Sequence, residues 1–209
     1  MCDPGTVVEK SLWARKVEQN PDHSHWYVQR FRSMAAAGAD LHGEARLVDA
    51  MVERGSRILD AGCGPGRVGG ELAQRGHQVV GVDVDPVLIE AAETDHPGPT
   101  WVVQDLAELD LHSTTEPFDV IVAAGNVMTF LAPSTRPEVL RRLGGHLAPA
   151  GRIVLGFGAG RGYAFEEFFT DAEQAQLTIE LRLATWDLRP WTQEADFLVA
   201  VLGRRASHS

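Results

Sequence analysis

From residue 56 onward the apolar positions fall into short uninterrupted runs, separated by segments whose apolar residues recur every three or four positions. The runs are "SRILDAG" (56–62), "QVVGVDVD" (78–85), "TWVVQDL" (100–106), "FDVIVAAG" (118–125) and "GRIVLGFG" (151–158). Between them lie "RVGGELAQRG" (67–76), "PVLIEAAETD" (86–95) and "STRPEVLRRLGGHLAP" (134–149). Short valine- and isoleucine-rich runs predict strands, and the longer periodic segments predict helices. The punctuation agrees. Gly76 stands where a helix must stop, Pro86 where the next one opens, and Pro149-Ala150-Gly151 reads as a turn before the fifth strand. "FDVIVAAG" is continuously apolar after its aspartate, as a strand buried on both faces is.

Strands alternating with helices predict a doubly wound α/β protein, its parallel sheet covered on both faces and its crossovers right-handed. The rhythm changes after "FEEFFTDAEQAQL" (165–177). The last two strand candidates, "TIELRLATWDL" (178–188) and "DFLVAVLGR" (196–204), are joined only by "RPWTQEA" (189–195). That is too short for a crossover helix and predicts an antiparallel hairpin. Residues 1–55 are helical in character. Tyr27, Phe31 and Met34 share one stripe with Trp26 and Arg30 on the adjoining face, and a second helix over 41–54 carries Leu41, Ala45, Val48 and Val52. Two short helices cannot bury a core alone. Residues 1–55 are therefore expected to form a cap or lid over a sheet edge or over the strands' carboxyl ends, with 56–205 as the ligand-binding domain.

Composition narrows the class. The 209 residues suffice for one substantial domain, and 44% hydrophobic with 23% charged residues is ordinary for a soluble globular protein. A net charge of −10 opposes a nonspecific grip on nucleic acid. The basic clusters "RRL" (141–143) and "GRR" (203–205) read as solvated surface charge. Cys2 and Cys63 make neither a disulfide framework nor a CxxC knuckle, and the N-terminus lacks a signal-peptide core. No stretch is apolar for long enough to span a bilayer, so a cytoplasmic protein is expected. His23 and His25 stand apart from any further ligand cluster, and no metal site is expected.

The candidate chemistry sits in "DAGCGPG" (60–66), where Gly62, Gly64 and Gly66 follow a strand and precede a helix. Glycines there let the backbone bend tightly and approach a ligand, and the helix start offers free N–H groups. A dinucleotide fingerprint puts its third glycine where Arg67 stands, and the Gly-Lys-Ser/Thr of a phosphate loop is missing. The spacing thus speaks against an NAD(P)-binding oxidoreductase without closing that alternative. A non-catalytic cofactor-binding or interaction module also stays open, because fold does not fix function.

"ILDAGCGPG" resembles the first motif of the class I S-adenosylmethionine-dependent methyltransferases, D-x-G-x-G-x-G, with Asp60, Gly62, Gly64 and Gly66 in its fixed positions. The resemblance extends over 57–203: Asp83 ends the second strand, Asp105 follows the third, "PFDVIVAAGN" begins with an acid, and "HLAPAGRIVLGFG" supplies the turn and fifth strand. It implies a Rossmann-like, mostly parallel seven-stranded sheet ending in the antiparallel hairpin. The implied cofactor is S-adenosyl-L-methionine, with S-adenosyl-L-homocysteine as product, and the implied reaction an in-line methyl transfer. Its implied cofactor-binding residues begin with Asp60, Ala61, Gly62, Cys63, Gly64 and Gly66 of the turn. Asp83, with Val84, would accept from both ribose hydroxyls. Asp105 would accept from the adenine amino group while the Leu106 N–H meets a ring nitrogen, or else Asp105 is a helix cap. Asn126 lies where cofactor and acceptor would meet, or makes an Asx turn. Trp26 and Arg30 would form a lid, with Arg30 pairing the methionine carboxylate, whereas Phe31 and Met34 read as packing. Asp85 reads as a surface turn residue. No general base is identified among His25, Tyr163 and Asp187. "AAGNVM" replaces the Pro-Pro-Tyr or Pro-Pro-Phe motif of DNA amino-methylating enzymes, so a small-molecule acceptor is expected and no nucleic acid. The tryptophans of "TWDLRPW" (185–191) either line an acceptor pocket or close the hairpin. The sequence does not fix the oligomeric state.

Overall fold

The computed structural model describes residues 8–111 and 116–205; Cys2 lies outside them. The apolar runs form strands β1 (Arg57–Ala61), β2 (Gln78–Asp83), β3 (Thr100–Val103), β4 (Phe118–Ala123), β5 (Leu147–Gly158), β6 (Leu177–Leu183) and β7 (Phe197–Arg204). They make one seven-stranded sheet in the order β3-β2-β1-β4-β5-β7-β6. The first five are parallel, whereas β7 runs antiparallel to both β5 and β6. The predicted hairpin is therefore present, with its returning strand inserted beside β5.

Strand residues alternate between two cores, as the two-residue period of a strand requires. Leu59, Ala61, Ile121, Ala123, Ile153 and Leu155 face helices α7 (Arg136–Gly145) and α8 (Phe165–Gln174). Ile58, Val120, Val122 and Val154 face α3 (Gly43–Ala50) and α4 (Arg67–Gln74). Helix α5 (Pro86–Asp95) packs Ile89 and Ala92 against Trp101 of β3. Pro149-Ala150-Gly151 lies within the span of β5 as an irregularity: Phe118 pairs with Leu147 but Val120 pairs with Arg152, so the turn residues loop out of register.

The first 55 residues hold one helix more than the sequence predicts. Helix α1 (Leu12–Gln19) precedes α2 (His23–Ala36), and α3 ends at Ala50 rather than 54. The Ser11 hydroxyl caps α1, accepting from the Ala14 N–H at 3.1 Å. Helix α2 packs on α5 and α3 on α4, which brings Ser11, Trp13, Tyr27 and Phe31 to the carboxyl ends of the first strands. Among the described residues no helix is long and apolar enough to cross a membrane.

Candidate functional site

Strand order reverses between β1 and β4, and at such a switch point an open α/β sheet forms its binding crevice. A cavity, open to solvent at its mouth, lies there. Its floor is the glycine turn with Asp60, Asp83 and Asp105, each from the end of a different strand. The turn is held from below: the N–H groups of Gly62 and Cys63 both donate to the Val82 carbonyl, at 2.8 and 3.0 Å. All three glycines have positive φ. Gly62 and Gly64 both line the cavity, and a side chain on Gly64 would meet the Tyr27 ring at 3.7 Å. A Cβ on Gly62 would lie 2.5 Å from Val127, and one on Gly66 2.9 Å from Ala92 and Trp101. Those two glycines admit neighbouring elements of the protein itself.

Asp60 and Asp83 are buried, at 1% and 8% exposure, and each steadies the turn. Asp60 accepts the Gly69 N–H at 2.8 Å, tying β1 to the first turn of α4. Asp83 accepts from the Gly64 N–H at 2.9 Å through one oxygen and from the Asp85 N–H at 3.0 Å through the other. Burial raises Asp60 to about 7, against the pull of the Gly69 N–H and the Arg67 charge. Burial likewise raises Asp83 to about 6, against the N–H groups of Asp85 and Gly64. In the unfolded chain both titrate near the ordinary aspartate value of about 3.9. At these two sites the folded chain therefore binds more protons than the unfolded one between about pH 4 and 7, so they lower stability as pH rises through that window, whereas His23 and His96, whose imidazoles burial holds below the ordinary value, act the opposite way in its upper part. Asp40 and Asp49, held low mainly by Arg46 and His77 respectively, act only in acid below it. In thermal denaturation without added cofactor, the melting temperature of Asp60→Asn relative to the unaltered protein should rise from about pH 5 to 8. A slope identical in the variant would refute the assignment.

Asp105 is both a cap and a cavity residue. Its Oδ1 accepts the Ala107 N–H at 2.9 Å, starting a short 3-10 turn at Leu106–Glu108, and both Asp105 and Leu106 line the cavity. Cys63 and Val84 line it as well. Burial, with the nearby Asp60 and Asp83 charges, drives the Cys63 thiol well above its ordinary range, so it stays protonated. Ala61 and Gly66 lie outside the lining. Asn126 does too. Left-handed at φ 68°, it precedes the short helix α6 (Val127–Phe130) and turns its side-chain oxygen to the Gly158 N–H at 2.9 Å. It thereby ties the end of β4 to that of β5.

The upper wall differs from the sequence expectation. Trp26 is 56% exposed and stacks on His23 at 5.4 Å, and Arg30 lies 5.9 Å from the Trp26 ring and 5.8 Å from Phe31. Neither lines the cavity; Tyr27 and Phe31, one position further round α2, do. Trp13 and Phe130 complete this wall. Arg67 also reaches the cavity, but its guanidinium is committed to Glu44 and to the Leu41 carbonyl, at 2.8 and 2.7 Å.

Asp85 is not a surface residue. It is 4% exposed, caps α5 by accepting the Val87 N–H at 2.9 Å, and accepts from Trp13 Nε1 at 2.8 Å and from the Ser24 hydroxyl. None of the three base candidates lines the cavity. Buried Tyr163 donates to Asp171 at 2.6 Å beneath Arg136, while His25 and Asp187 are exposed.

A methyltransferase-domain family model matches residues 58–151. An uncharacterized methyltransferase of Mycobacterium tuberculosis is 33% identical over 120 residues, 56% of this chain and 58% of that protein, so the match spans little more than half of the relative. The crystal structure of a TehB-like SAM-dependent methyltransferase from Corynebacterium glutamicum is 50% identical, with a TM-score of 0.85, over 89% of this chain and all of that one. A SAM-dependent methyltransferase from Clostridium acetobutylicum shares the fold at 12% identity and a TM-score of 0.74. The chain belongs to the class I S-adenosylmethionine-dependent methyltransferases. The family's cofactor is S-adenosylmethionine. The site's chemistry fits it: acidic floor residues suit a cationic nucleoside, apolar Val84 and Leu106 flank them, and Gly64 leaves the turn open.

Proposed function

We propose that the protein transfers a methyl group from S-adenosylmethionine to a small-molecule acceptor by in-line displacement. The observation that carries this is the convergence of Asp60, Asp83 and Asp105, from three successive strand ends, with the glycine turn on one cavity. When bound, the cofactor supplies an electrophilic methyl group on a sulfonium that is already a good leaving group. Asp83 accepts from the ribose hydroxyls, and Asp105 with the Leu106 N–H recognises adenine. The glycine turn and Asp60 meet the amino acid end. Residues 1–55 act as the cap, 56–205 as the binding domain.

The chain's contribution to rate is alignment and exclusion of water, which a roofed cavity provides. A general base is required only for an acceptor that rests protonated. The acidic surface and the absence of a basic groove among the cavity-lining residues support a small molecule over a nucleic acid. The composition supports a cytoplasmic setting. Calorimetry with S-adenosylmethionine and with NADH tests the reading: micromolar binding of the first and none of the second is expected. Binding of NADH alone would overturn it.

A further inference from the structure

The cavity's two walls have opposite chemistry. Its floor carries three carboxylates, Asp60, Asp83 and Asp105. Its roof is a continuous chain of rings from three different helices. Trp13 meets Tyr27 edge-on at 5.1 Å and Phe130 edge-on at 5.5 Å, and Tyr27 meets Phe31 at 5.0 Å. The roof offers little polarity. The Trp13 N–H is turned away and satisfied by Asp85, and the Ser11 oxygen serves the Ala14 N–H, which leaves the Tyr27 hydroxyl as the polar group of the four rings. Among the described lining residues the one cation is Arg67, neutralised by Glu44. An anionic acceptor would find no free cation inside to replace the water it gives up. A planar apolar one would replace water against aromatic faces.

Resting on the methyltransferase reading, we infer that the methyl acceptor is an uncharged, planar, largely apolar molecule bearing a single nucleophilic group, received against the Trp13–Phe130 side of the aromatic roof. The roof selects by shape and by lack of charge.

The test uses the full chain saturated with S-adenosylhomocysteine, which cannot donate a methyl group, titrated calorimetrically with 2-naphthol and with 3-hydroxy-2-naphthoate. The uncharged probe should bind at least about tenfold more tightly than its carboxylate partner. Phe130→Ala should weaken 2-naphthol about tenfold and Phe130→Leu less, both leaving S-adenosylhomocysteine affinity within about twofold. That retained affinity also reports that the variants fold. Equal or tighter binding of the carboxylate, binding of neither probe, or a parallel loss of S-adenosylhomocysteine in Phe130→Ala overturns the inference. Failure of the unaltered protein to bind S-adenosylhomocysteine is a different result, which overturns the methyltransferase reading and the inference with it.

Discussion

Asp85→Ala is expected to destabilise the protein by about 4 kcal/mol. The carboxylate is buried and serves three donors at once: the Val87 N–H at the start of α5, the indole N–H of Trp13 and the hydroxyl of Ser24. Losing the helix cap alone costs about 1 kcal/mol. Leaving the buried Trp13 and Ser24 donors without an acceptor adds about 1 to 3 kcal/mol for each. For a chain of this size the melting temperature should fall by roughly 10 °C. Asp85→Asn keeps the shape and one acceptor oxygen and should lose about half as much. Because the Asp85 N–H also holds Asp83 on the cavity floor, cofactor affinity should fall with stability. Urea denaturation followed by circular dichroism measures the first effect and calorimetry the second. A loss below about 1 kcal/mol would mean that the cap is held by its apolar contacts alone.

The second large effect is expected at Asp83. Its carboxylate faces the cavity while holding the Gly64 and Asp85 N–H groups, so it shapes the glycine turn as well as presenting an acceptor to a diol. Asp83→Ala removes hydrogen bonds made by a charged group, each contributing about 1.5 to 3 kcal/mol. Two of them correspond to at least about a hundredfold loss of S-adenosylmethionine affinity. Asp83→Asn should retain part of the turn geometry and bind with intermediate affinity. Equilibrium binding at about pH 8, where the carboxylate is ionised, gives the comparison. Wild-type affinity in Asp83→Ala would remove the residue from the proposed role.

The floor of the site was legible in the sequence because its signals are local. An apolar run ending in aspartate, followed by closely spaced glycines, is enough to place Asp60 and the turn. Asp83 and Asp105 come from the family resemblance, which asks for acidic residues at the ends of the next two strands. The roof was not legible, because the rings that form it come together only in the folded chain. The sequence shows the stripe of α2 but sets the side facing the cavity one residue off. Along a helix that is a rotation of about 100°, enough to exchange Tyr27 and Phe31 for Trp26 and Arg30. Asp85 shows the same boundary. The sequence reads it as a surface turn residue; it caps α5 instead, and its other partners stand 72 and 61 residues away in the chain. Helix α1 leaves no clear mark in the sequence because eight residues give too short a periodic signal. Asn126 looked toward the cavity in the sequence; its left-handed backbone sends the side chain to Gly158 instead.

The ring contacts of Trp13 also bear on how the chain is made. Trp13 leaves the ribosome 72 residues before Asp85, the acceptor of its N–H, and well before Phe130, against which its indole packs. The sheet begins from β1 and grows outward on both sides, so a nascent chain can pair its first strands while α1 and α2 still have nothing to cover. Until α5 is synthesised their apolar face has no partner, and Trp13 gains its last ring contact only with Phe130 of α6; exposed apolar surface is the condition in which growing chains aggregate or engage chaperones. The element that closes the site in the finished molecule is thus synthesised early and docked late.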